Sequence, residues 1–215
     1  MVTRVYGQFC GLARAMEMIG ERWTLLIVRN LLIGPKRYTD LRTGLPDIPT
    51  NILSTRLKQL EQCGLAVRRA LPYPERAVVY ELTEYGRDIE PALIELGRWG
   101  ARTLTEPRSG EVVTAESLAM SLRTTFRPDG ALGPDFGCEV RVAGVIVHAD
   151  LADAVLTTCP GPHPGPDLII ESRTATALRD LVRDGRWPED ALADGSLHVE
   201  GERTLLERFT MMFRL

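Results

Sequence analysis

The sequence predicts an α+β protein made of two consecutive parts. The chain has 215 residues, which suits two domains of about a hundred residues each. Residues 1–104 are helical in pattern until a pair of short β-like runs, whereas residues 112–215 alternate between β-like and helical runs. Charge divides in the same way, since residues 1–104 hold 15 basic and 11 acidic side chains and residues 105–215 hold 11 and 18. A basic part joined to an acidic part is typical of a nucleic-acid-binding domain followed by a domain of another kind.

Apolar periodicity and helix breakers mark the first three predicted helices. Apolar residues recur along one side of a helix between positions 9 and 19. Residues 23–32 are apolar almost throughout, which predicts a buried second helix that ends at Gly34-Pro35. We expect Thr39 to cap a short third helix, because its hydroxyl can accept a hydrogen bond from the first turn.

The elements that follow complete the order helix, turn, helix and hairpin. We expect the fourth helix to begin at Pro49 or Thr50 and to end at Gly64, in the left-handed conformation that favours glycine. Residues 65–69 and 78–82 predict a basic β-hairpin. This order is that of a winged helix-turn-helix, which places one helix in the major groove of DNA.

A long helix and a linker are predicted after the hairpin. Thr83 is expected to cap a helix over residues 84–103, with a bend at Pro91. Residues 106–110 are polar and rich in helix breakers, so we expect a linker there. The predicted domains are therefore residues 1–106 and residues 112–215.

The second part predicts one mostly antiparallel sheet with helices packed on it. Its β-like runs are short and bounded by turn residues, and its helical runs are amphipathic. Strands are expected at 139–142, 145–149, 154–158, 168–171 and 197–200, and helices at 117–126, 176–182, 190–193 and 202–213.

The fourth helix is predicted to read DNA bases. Leu53, Leu57 and Leu60 are spaced to face the core, so the opposite side carries short polar side chains that can reach base edges. The alternative, an ordinary surface helix, usually carries Glu–Lys pairs instead. The predicted polar DNA-binding residues are Thr39, Thr50, Asn51, Ser54, Thr55 and Lys58.

A set of arginines is predicted to contact DNA phosphates. Such contacts determine affinity and salt dependence rather than sequence preference. Arg56 has an alternative role, in which it anchors the fourth helix through an internal carboxylate. The set comprises Arg37, Arg56, Arg68, Arg69 and Arg76.

Several motifs between residues 10 and 100 carry a family resemblance. They are Ile-Gly-Glu-Arg-Trp-Thr-Leu-Leu-Ile at 19–27, Gly-Pro-Lys-Arg-Tyr-Thr-Asp-Leu at 34–41, Leu-Ser-Thr-Arg-Leu-Lys-Gln-Leu-Glu at 53–61 and Tyr-Glu-Leu-Thr-Glu-Tyr-Gly at 80–86. With these motifs the segment resembles the HxlR family of bacterial winged-helix regulators. The resemblance implies a homodimer, joined through the first helix and the long helix after the hairpin, that binds a palindromic operator in double-stranded DNA.

Cys10 lies where some members of that family carry a redox-sensing thiol. A sensing thiol must be exposed, whereas the neighbouring Phe9 and Leu12 predict a packed site. We therefore expect Cys10 to be structural. Thiol-based redox regulation through Cys10 is retained as an alternative.

The second part carries a fainter resemblance over residues 167–171, 191–201 and 205–209 and the helix with Leu178 and Leu181. These segments resemble the sterol-carrier-protein-like fold, which implies a cavity for an apolar molecule between sheet and helices. Methionine and aromatic side chains suit such a cavity, although for any single one of them a place in the core is the favoured alternative. The predicted ligand-binding residues are Phe126, Phe136, Trp187, Phe209, Met212 and Phe213.

Other classes of function find little support. The three histidines are scattered, Cys159 and His163 are too few to bind a metal, and no phosphate-binding loop or nucleophile motif occurs. We therefore expect no enzyme, no metal and no cofactor. Four scattered cysteines, no signal peptide and no apolar run of about 20 residues favour a cytoplasmic protein that does not cross a membrane.

These observations together predict a homodimeric DNA-binding transcriptional regulator, more specifically a repressor. Its C-terminal domain is expected to sense a hydrophobic small-molecule effector. The alternatives are a redox regulator that acts through Cys10 and a carrier of hydrophobic metabolites.

Overall fold

A computed structural model describes residues 5–130, 133–184 and 192–215 of the protein. The chain forms two compact units, Met1–Leu93 and Ile94–Leu215. The division falls within a helix and precedes the predicted linker at 106–110. Residues after Ile94 belong to the second unit because they pack closely there: a Cβ added at Gly97 would lie 3.1 Å from Thr124 Oγ1.

The first unit contains short helices and a three-stranded sheet. Its sheet has the order β1-β3-β2, and both pairings are antiparallel. The core beneath the sheet is made of side chains such as Ile27, Leu41 and Leu53, each fully buried. The elements are α1 (Gly11–Ile19), α2 (Thr24–Leu32), β1 (Lys36–Arg37), α3 (Tyr38–Thr43), α4 (Thr50–Gln62), β2 (Ala66–Ala70), β3 (Val78–Leu82), α5 (Glu84–Arg87) and α6 (Glu90–Ala101), the last of which continues into the second unit.

Most of the predicted helix ends are confirmed. Pro49 precedes the first turn of α4, and Gly64 follows the helix with a φ of +70°. Thr83 caps α5, where its Oγ1 accepts a hydrogen bond of 3.0 Å from the N–H of Gly86. The prediction for Thr39 is wrong: it lies within α3. There the Asp40 carboxylate accepts a bond of 2.9 Å from the N–H of Arg37.

The predicted long helix over 84–103 is two helices. α5 ends at Arg87, and α6 begins at Glu90 with Pro91 in its first turn. A proline in that position costs nothing in hydrogen bonding, because the first N–H groups of a helix have no partner within the helix. Pro91 therefore starts a new helix where the sequence predicted a bend.

The second unit consists of one five-stranded sheet and the helices around it. The strand order is β6-β5-β4-β7-β8, and only the β4–β7 pairing is parallel among the strands that the structure describes. The predicted mostly antiparallel sheet is thus confirmed. Of the predicted helix at 190–193, residues 190 and 191 lie outside the described residues, and residues 192 and 193 are helical. The elements are α7 (Ala115–Thr125), β4 (Phe136–Val142), β5 (Val145–Ala152), β6 (Val155–Pro160), β7 (Leu168–Ser172), α8 (Ala175–Asp184), β8 (Leu197–Gly201) and α9 (Arg203–Met212).

Candidate nucleic-acid interface and regulatory sites

The orientation of α4 is determined by three buried leucines. Leu53, Leu57 and Leu60 are at most 1 % exposed, as their spacing predicts. On the other side of the helix, Asn51 and Lys58 are exposed. Of the α4 residues predicted to read bases, Thr50, Asn51 and Lys58 are therefore accessible to solvent or to a DNA groove.

Hydroxyl groups near the start of α4 are bonded to the backbone of the same helix. Ser54 Oγ donates to the carbonyl of Thr50 at 2.9 Å, and Thr55 Oγ1 donates to the carbonyl of Asn51 at 2.7 Å. The hydroxyl of Tyr38 also donates to the Thr50 carbonyl, at 2.9 Å. In the described part of the chain, by contrast, no other side chain holds the Asn51 amide, so this group is available to a base edge.

Arg56 anchors α4 through a carboxylate of the same unit, which is the alternative role considered for it. Its Nη2 lies 2.8 Å from Glu21 Oε2, and its Nε donates to the carbonyl of Arg22 at 3.3 Å. The side chain is only 13 % exposed. The prediction of a phosphate contact is therefore corrected, because this guanidinium ties α4 to the residues that precede α2.

The hairpin holds arginines in two different states. Arg69 donates two hydrogen bonds to Glu81 across β2 and β3, at 3.0 and 2.9 Å. These bonds raise the pKa of Arg69 and lower the pKa of Glu81. Arg68 and Arg76 are exposed, and Arg76 lies over the ring of Tyr73, 5.3 Å from its centre. Arg68 and Arg76 thus present positive charge to solvent, whereas the charge of Arg69 is neutralised by its partner.

Two other predicted DNA-binding residues precede α4. Arg37 and Thr39 are both exposed at the start of α3. Thr50 is likewise exposed, in the first turn of α4. A helix start of this kind places side chains and N–H groups where a phosphate binds well.

Cys10 is exposed, which corrects the expectation of a packed site. It precedes the first turn of α1, and its neighbours Phe9 and Leu12 are 107 % and 71 % exposed. The apolar residues that predicted burial therefore form an open stripe along α1, which Met16 continues. The thiol itself is free and reachable from solvent.

Among the described residues, the space predicted to hold an apolar ligand is closed. Phe209 and Phe213 stack with their ring centres 4.3 Å apart, and Phe126 lies 5.7 Å from Phe213. The space lined by Phe126, Phe136, Met212 and Phe213 has no room for a water molecule. Phe136, Phe209, Met212 and Phe213 are buried core side chains, which is the alternative considered for them, and half-buried Phe126 packs against Phe213. Trp187 lies outside the described residues. A core without space for a ligand gives no support to the alternative that the protein carries hydrophobic metabolites.

The same core contains an unreactive thiol. Cys138 is 2 % exposed on β4, among the residues that surround Phe126 and Phe213. Burial, with a smaller contribution from the charge of Asp150, raises the pKa of its thiol to about 12. Cys138 therefore stays protonated at neutral pH and cannot act as a nucleophile.

Sequence reasoning missed a histidine pair on the sheet. His148 and His163 lie with ring centres 5.7 Å apart, and His163 Nε2 is 2.9 Å from Asp150 Oδ1. Gly137 makes room for His163, because a Cβ there would lie 2.5 Å from its ring. The sequence feature that could have indicated this contact is Gly137 inside a strand, since a strand glycine often marks the close approach of another group. Among the described residues no group of three or more His, Cys, Asp or Glu could hold a metal ion.

Across residues 5–130, 133–184 and 192–215, every helix is too short or too polar to cross a bilayer.

The first unit has the fold of a winged helix-turn-helix protein, and comparison with known proteins identifies its family. Residues 18–108 match the family described as HxlR-like helix-turn-helix. The HTH-type transcriptional regulator YodB of Bacillus subtilis is 36% identical over 102 residues, which are 47% of this chain and 88% of YodB. The chain belongs to the HxlR-like helix-turn-helix family.

Other relatives are similar over the same length of chain. An uncharacterized HTH-type transcriptional regulator of Mycobacterium tuberculosis is 45% identical over 97 residues, which are 44% of this chain. The chain spans 59% of the length of that relative. Among solved structures, the oxidized form of the redox regulator HypR is 28% identical, with a TM-score of 0.42, over 45% of this chain and 99% of HypR. The family match ends at residue 108, so residues 109–215 lie outside it.

Proposed function

We propose that this protein is a transcriptional regulator that binds a palindromic operator as a homodimer. One observation carries the proposal: α4 turns the unengaged amide of Asn51 to solvent, while buried leucines fix the orientation of the helix. Relatives named as HTH-type transcriptional regulators give further support. We place its action in the cytoplasm, where bacterial DNA lies.

In this proposal base contacts and phosphate contacts come from different elements. Asn51 at the start of α4 would read a base edge in the major groove, and an amide can bond adenine in two places. Arg68 and Arg76 in the hairpin, with Arg37 before α3, would bind phosphates and so determine the salt dependence of binding. Thr39, Thr50, Ser54, Thr55 and Lys58 would complete the contact surface.

The homodimer is supported by apolar surface that the single chain leaves exposed. Phe9 just before α1, Leu12 on α1, and Leu96 and Trp99 on α6 are all between 48 % and 107 % exposed. Covering apolar surface stabilises an assembly by about 25 cal/mol for each Å² removed from water. A second copy of the chain is the partner we propose for these residues, because a twofold dimer matches a palindromic operator.

We further propose that residues 112–215 form a sterol-carrier-like regulatory domain that responds to a small-molecule effector. Support comes from its own sheet and core and from an acidic composition that disfavours DNA. An effector acts by binding one dimer geometry more tightly than the other. An apolar effector in the core would have to displace Phe213 or Met212, since they leave no space between them.

A second candidate function is redox regulation through Cys10. The observation that favours it is the exposure of a free thiol at the beginning of α1, where an oxidant can reach it. Oxidation of a residue beside Phe9 and Leu12 would alter the surface that we assign to the dimer.

Fluorescence anisotropy with labelled DNA from upstream of the protein's own gene tests the main proposal. We expect the full-length protein to bind this DNA more tightly than DNA of scrambled sequence, with an affinity that falls steeply as salt rises. Equal affinity for both sequences at every salt concentration would mean that the protein is not a sequence-specific regulator.

A further inference from the structure

An arginine-rich cleft lies in the second unit. Its volume is about 410 Å³, which is within the range of small-molecule sites. One wall is the C-terminal half of α6, and the other is formed by residues that follow α7 and by the end of α8. The side chains that matter for its chemistry are Glu95, Arg98, Trp99, Arg102, Arg127 and Arg183.

The wall formed by α6 is held firmly in place by Arg98. Its Nε donates to the carbonyl of Thr124 at 2.8 Å, and its Nη2 donates to the carbonyl of Phe126 at 3.1 Å. Its remaining nitrogen binds Glu95 one turn earlier in the helix. Arg98 is thus fully engaged with protein groups, and the glutamate of the cleft is engaged with Arg98. Because these side chains are already held in place, little free energy is needed to order this wall when a ligand binds.

Three arginines of the cleft have no such partners. Within the described residues, Arg102, Arg127 and Arg183 form no ion pair with a carboxylate. Other arginines of this unit do: Arg141 binds Glu139, and Arg203 binds Glu207. Among the described residues, the cleft therefore holds three guanidinium groups that form no ion pair with a carboxylate.

The surroundings of Arg127 are unfavourable to its charge. Burial lowers its pKa, and the neighbouring charges of Arg98 and Arg214 act in the same direction. The carboxylates of Glu95 and Asp129 oppose this effect without cancelling it. A bound anion would relieve the repulsion, because it supplies the negative charge that these groups lack.

An aromatic surface borders the same cleft. Trp99 is 68 % exposed, and it lines the cleft together with Arg98 of α6 and Arg102, which directly follows the helix. The face of an indole ring accepts a second planar ring, and guanidinium groups bind carboxylates through paired hydrogen bonds. We infer that this cleft binds an organic anion with a flat aromatic body, of the class of the arylcarboxylates.

This inference rests on the proposed function, because it identifies the ligand of the cleft with the effector of the proposed regulator. It thereby names the chemical class of that effector. The aromatic core was expected to bind an apolar ligand, whereas this cleft is open and cationic. Trp99 also belongs to the exposed residues that we assign to the dimer. An arylcarboxylate beside Trp99 would therefore act at the edge of the dimer surface.

Isothermal titration calorimetry of the full-length protein with 2-naphthoate tests the inference. The uncharged 2-naphthamide has the same rings and serves as the control ligand. We expect 2-naphthoate to bind about tenfold more tightly, because only the acid satisfies the free arginines. The variant Arg102→Gln/Arg183→Gln should lose about tenfold in affinity for 2-naphthoate and none for the amide. Both arginines are exposed, so the variant should unfold at the wild-type temperature.

The matched control variant is Arg108→Gln, which removes an exposed arginine of the same unit outside the cleft. It should bind 2-naphthoate like the wild type. Equal affinity for acid and amide, no heat of binding at millimolar concentrations, or an unchanged affinity in the double variant would overturn the inference. DNA binding is measured in parallel by anisotropy. Loss of sequence-specific DNA binding with intact 2-naphthoate binding would overturn the proposed function and leave the site standing.

Discussion

Arg56 and Glu21 form an ion pair with a distance of 2.8 Å between Nη2 and Oε2, although 35 residues separate them in the chain. The guanidinium therefore points from α4 toward the residues that precede α2. Gln59 accepts a further hydrogen bond from it, at 2.6 Å. This contact makes Arg56 a part of the scaffold that fixes α4.

Replacing Arg56 should therefore cost stability. We expect Arg56→Gln to lower the free energy of unfolding by about 1–3 kcal/mol, because three groups lose a charged hydrogen-bond donor. Urea unfolding followed by circular dichroism measures the change. Arg76→Gln is the control, and at an exposed position it should change stability by less than about 0.5 kcal/mol. Equal stability of the two variants would show that the Arg56 contact contributes nothing.

Base and phosphate contacts should separate in DNA binding. Asn51→Ala should weaken binding to the operator by about 1–3 kcal/mol and leave binding to scrambled DNA almost unchanged, because it removes a base contact. Arg76→Gln should weaken binding to both DNAs alike and reduce the slope of affinity against salt by about one unit. Anisotropy titrations at several salt concentrations distinguish the two. Identical behaviour of the two variants would mean that Asn51 does not face a base.

The sequence could predict local features of the first unit, because each depends on residues close together in the chain. The spacing of Leu53 and Leu57 predicts the buried side of α4, and Gly64 and Thr83 mark helix ends by their own chemistry. Contacts between distant residues left no local signal. The ion pair of Arg56 with Glu21 is such a contact.

Burial and empty space were harder to predict than secondary structure. An apolar stripe that includes Phe9 and Leu12 predicts that something covers one side of α1, but not whether the cover is the same chain or a second one. The aromatic residues around Phe213 likewise predict an apolar interior. Whether they enclose a cavity depends on their packed volumes, which composition does not reveal.

The dimer proposal predicts that a charge on α1 separates the copies. Leu12 is 71 % exposed, so Leu12→Asp should leave the fold intact while placing a carboxylate in the proposed interface. Light scattering at micromolar concentration should show a dimer for the wild type and a monomer for this variant. Val155→Asp is the control, since Val155 is similarly exposed, at 65 %, but lies on the edge strand β6. A monomeric wild type would refute the dimer outright.

The cysteines should differ sharply in their reactivity. A maleimide reagent should label Cys10 in the native protein, whereas Cys138 should react only after unfolding, because burial raises the pKa of its thiol to about 12. Mass spectrometry of labelled peptides measures both sites. We expect Cys10→Ser to bind the operator like the wild type. If diamide releases the wild type from DNA but not the Cys10→Ser variant, the redox candidate replaces effector sensing as the mode of regulation.

Glu139 should make the stability of the second unit depend on acidity. It is 2 % exposed on β4, where its carboxylate accepts hydrogen bonds of 2.7 Å from the N–H of His163 and 2.6 Å from Arg141 Nε. Burial raises its pKa, but these bonds and the charge of Arg141 outweigh burial and leave the pKa below the ordinary value of 4.5.

Because the pKa is lower in the folded protein, the unfolded chain binds more protons in the acid range, and stability falls as pH decreases below about 4.5. Glu139→Gln should lower the free energy of unfolding at pH 7 by about 1–3 kcal/mol, because the hydrogen bonds lose their charged acceptor. Because an amide does not titrate, the stability of this variant should depend less on pH in the acid range. Urea unfolding at pH 7, 5 and about 3.5 follows both effects. Glu171→Gln is the control, since Glu171 is half-exposed and lies 3.4 Å from the same arginine. A wild type and a Glu139→Gln variant that lose stability in parallel on acidification would show that Glu139 is not the group responsible.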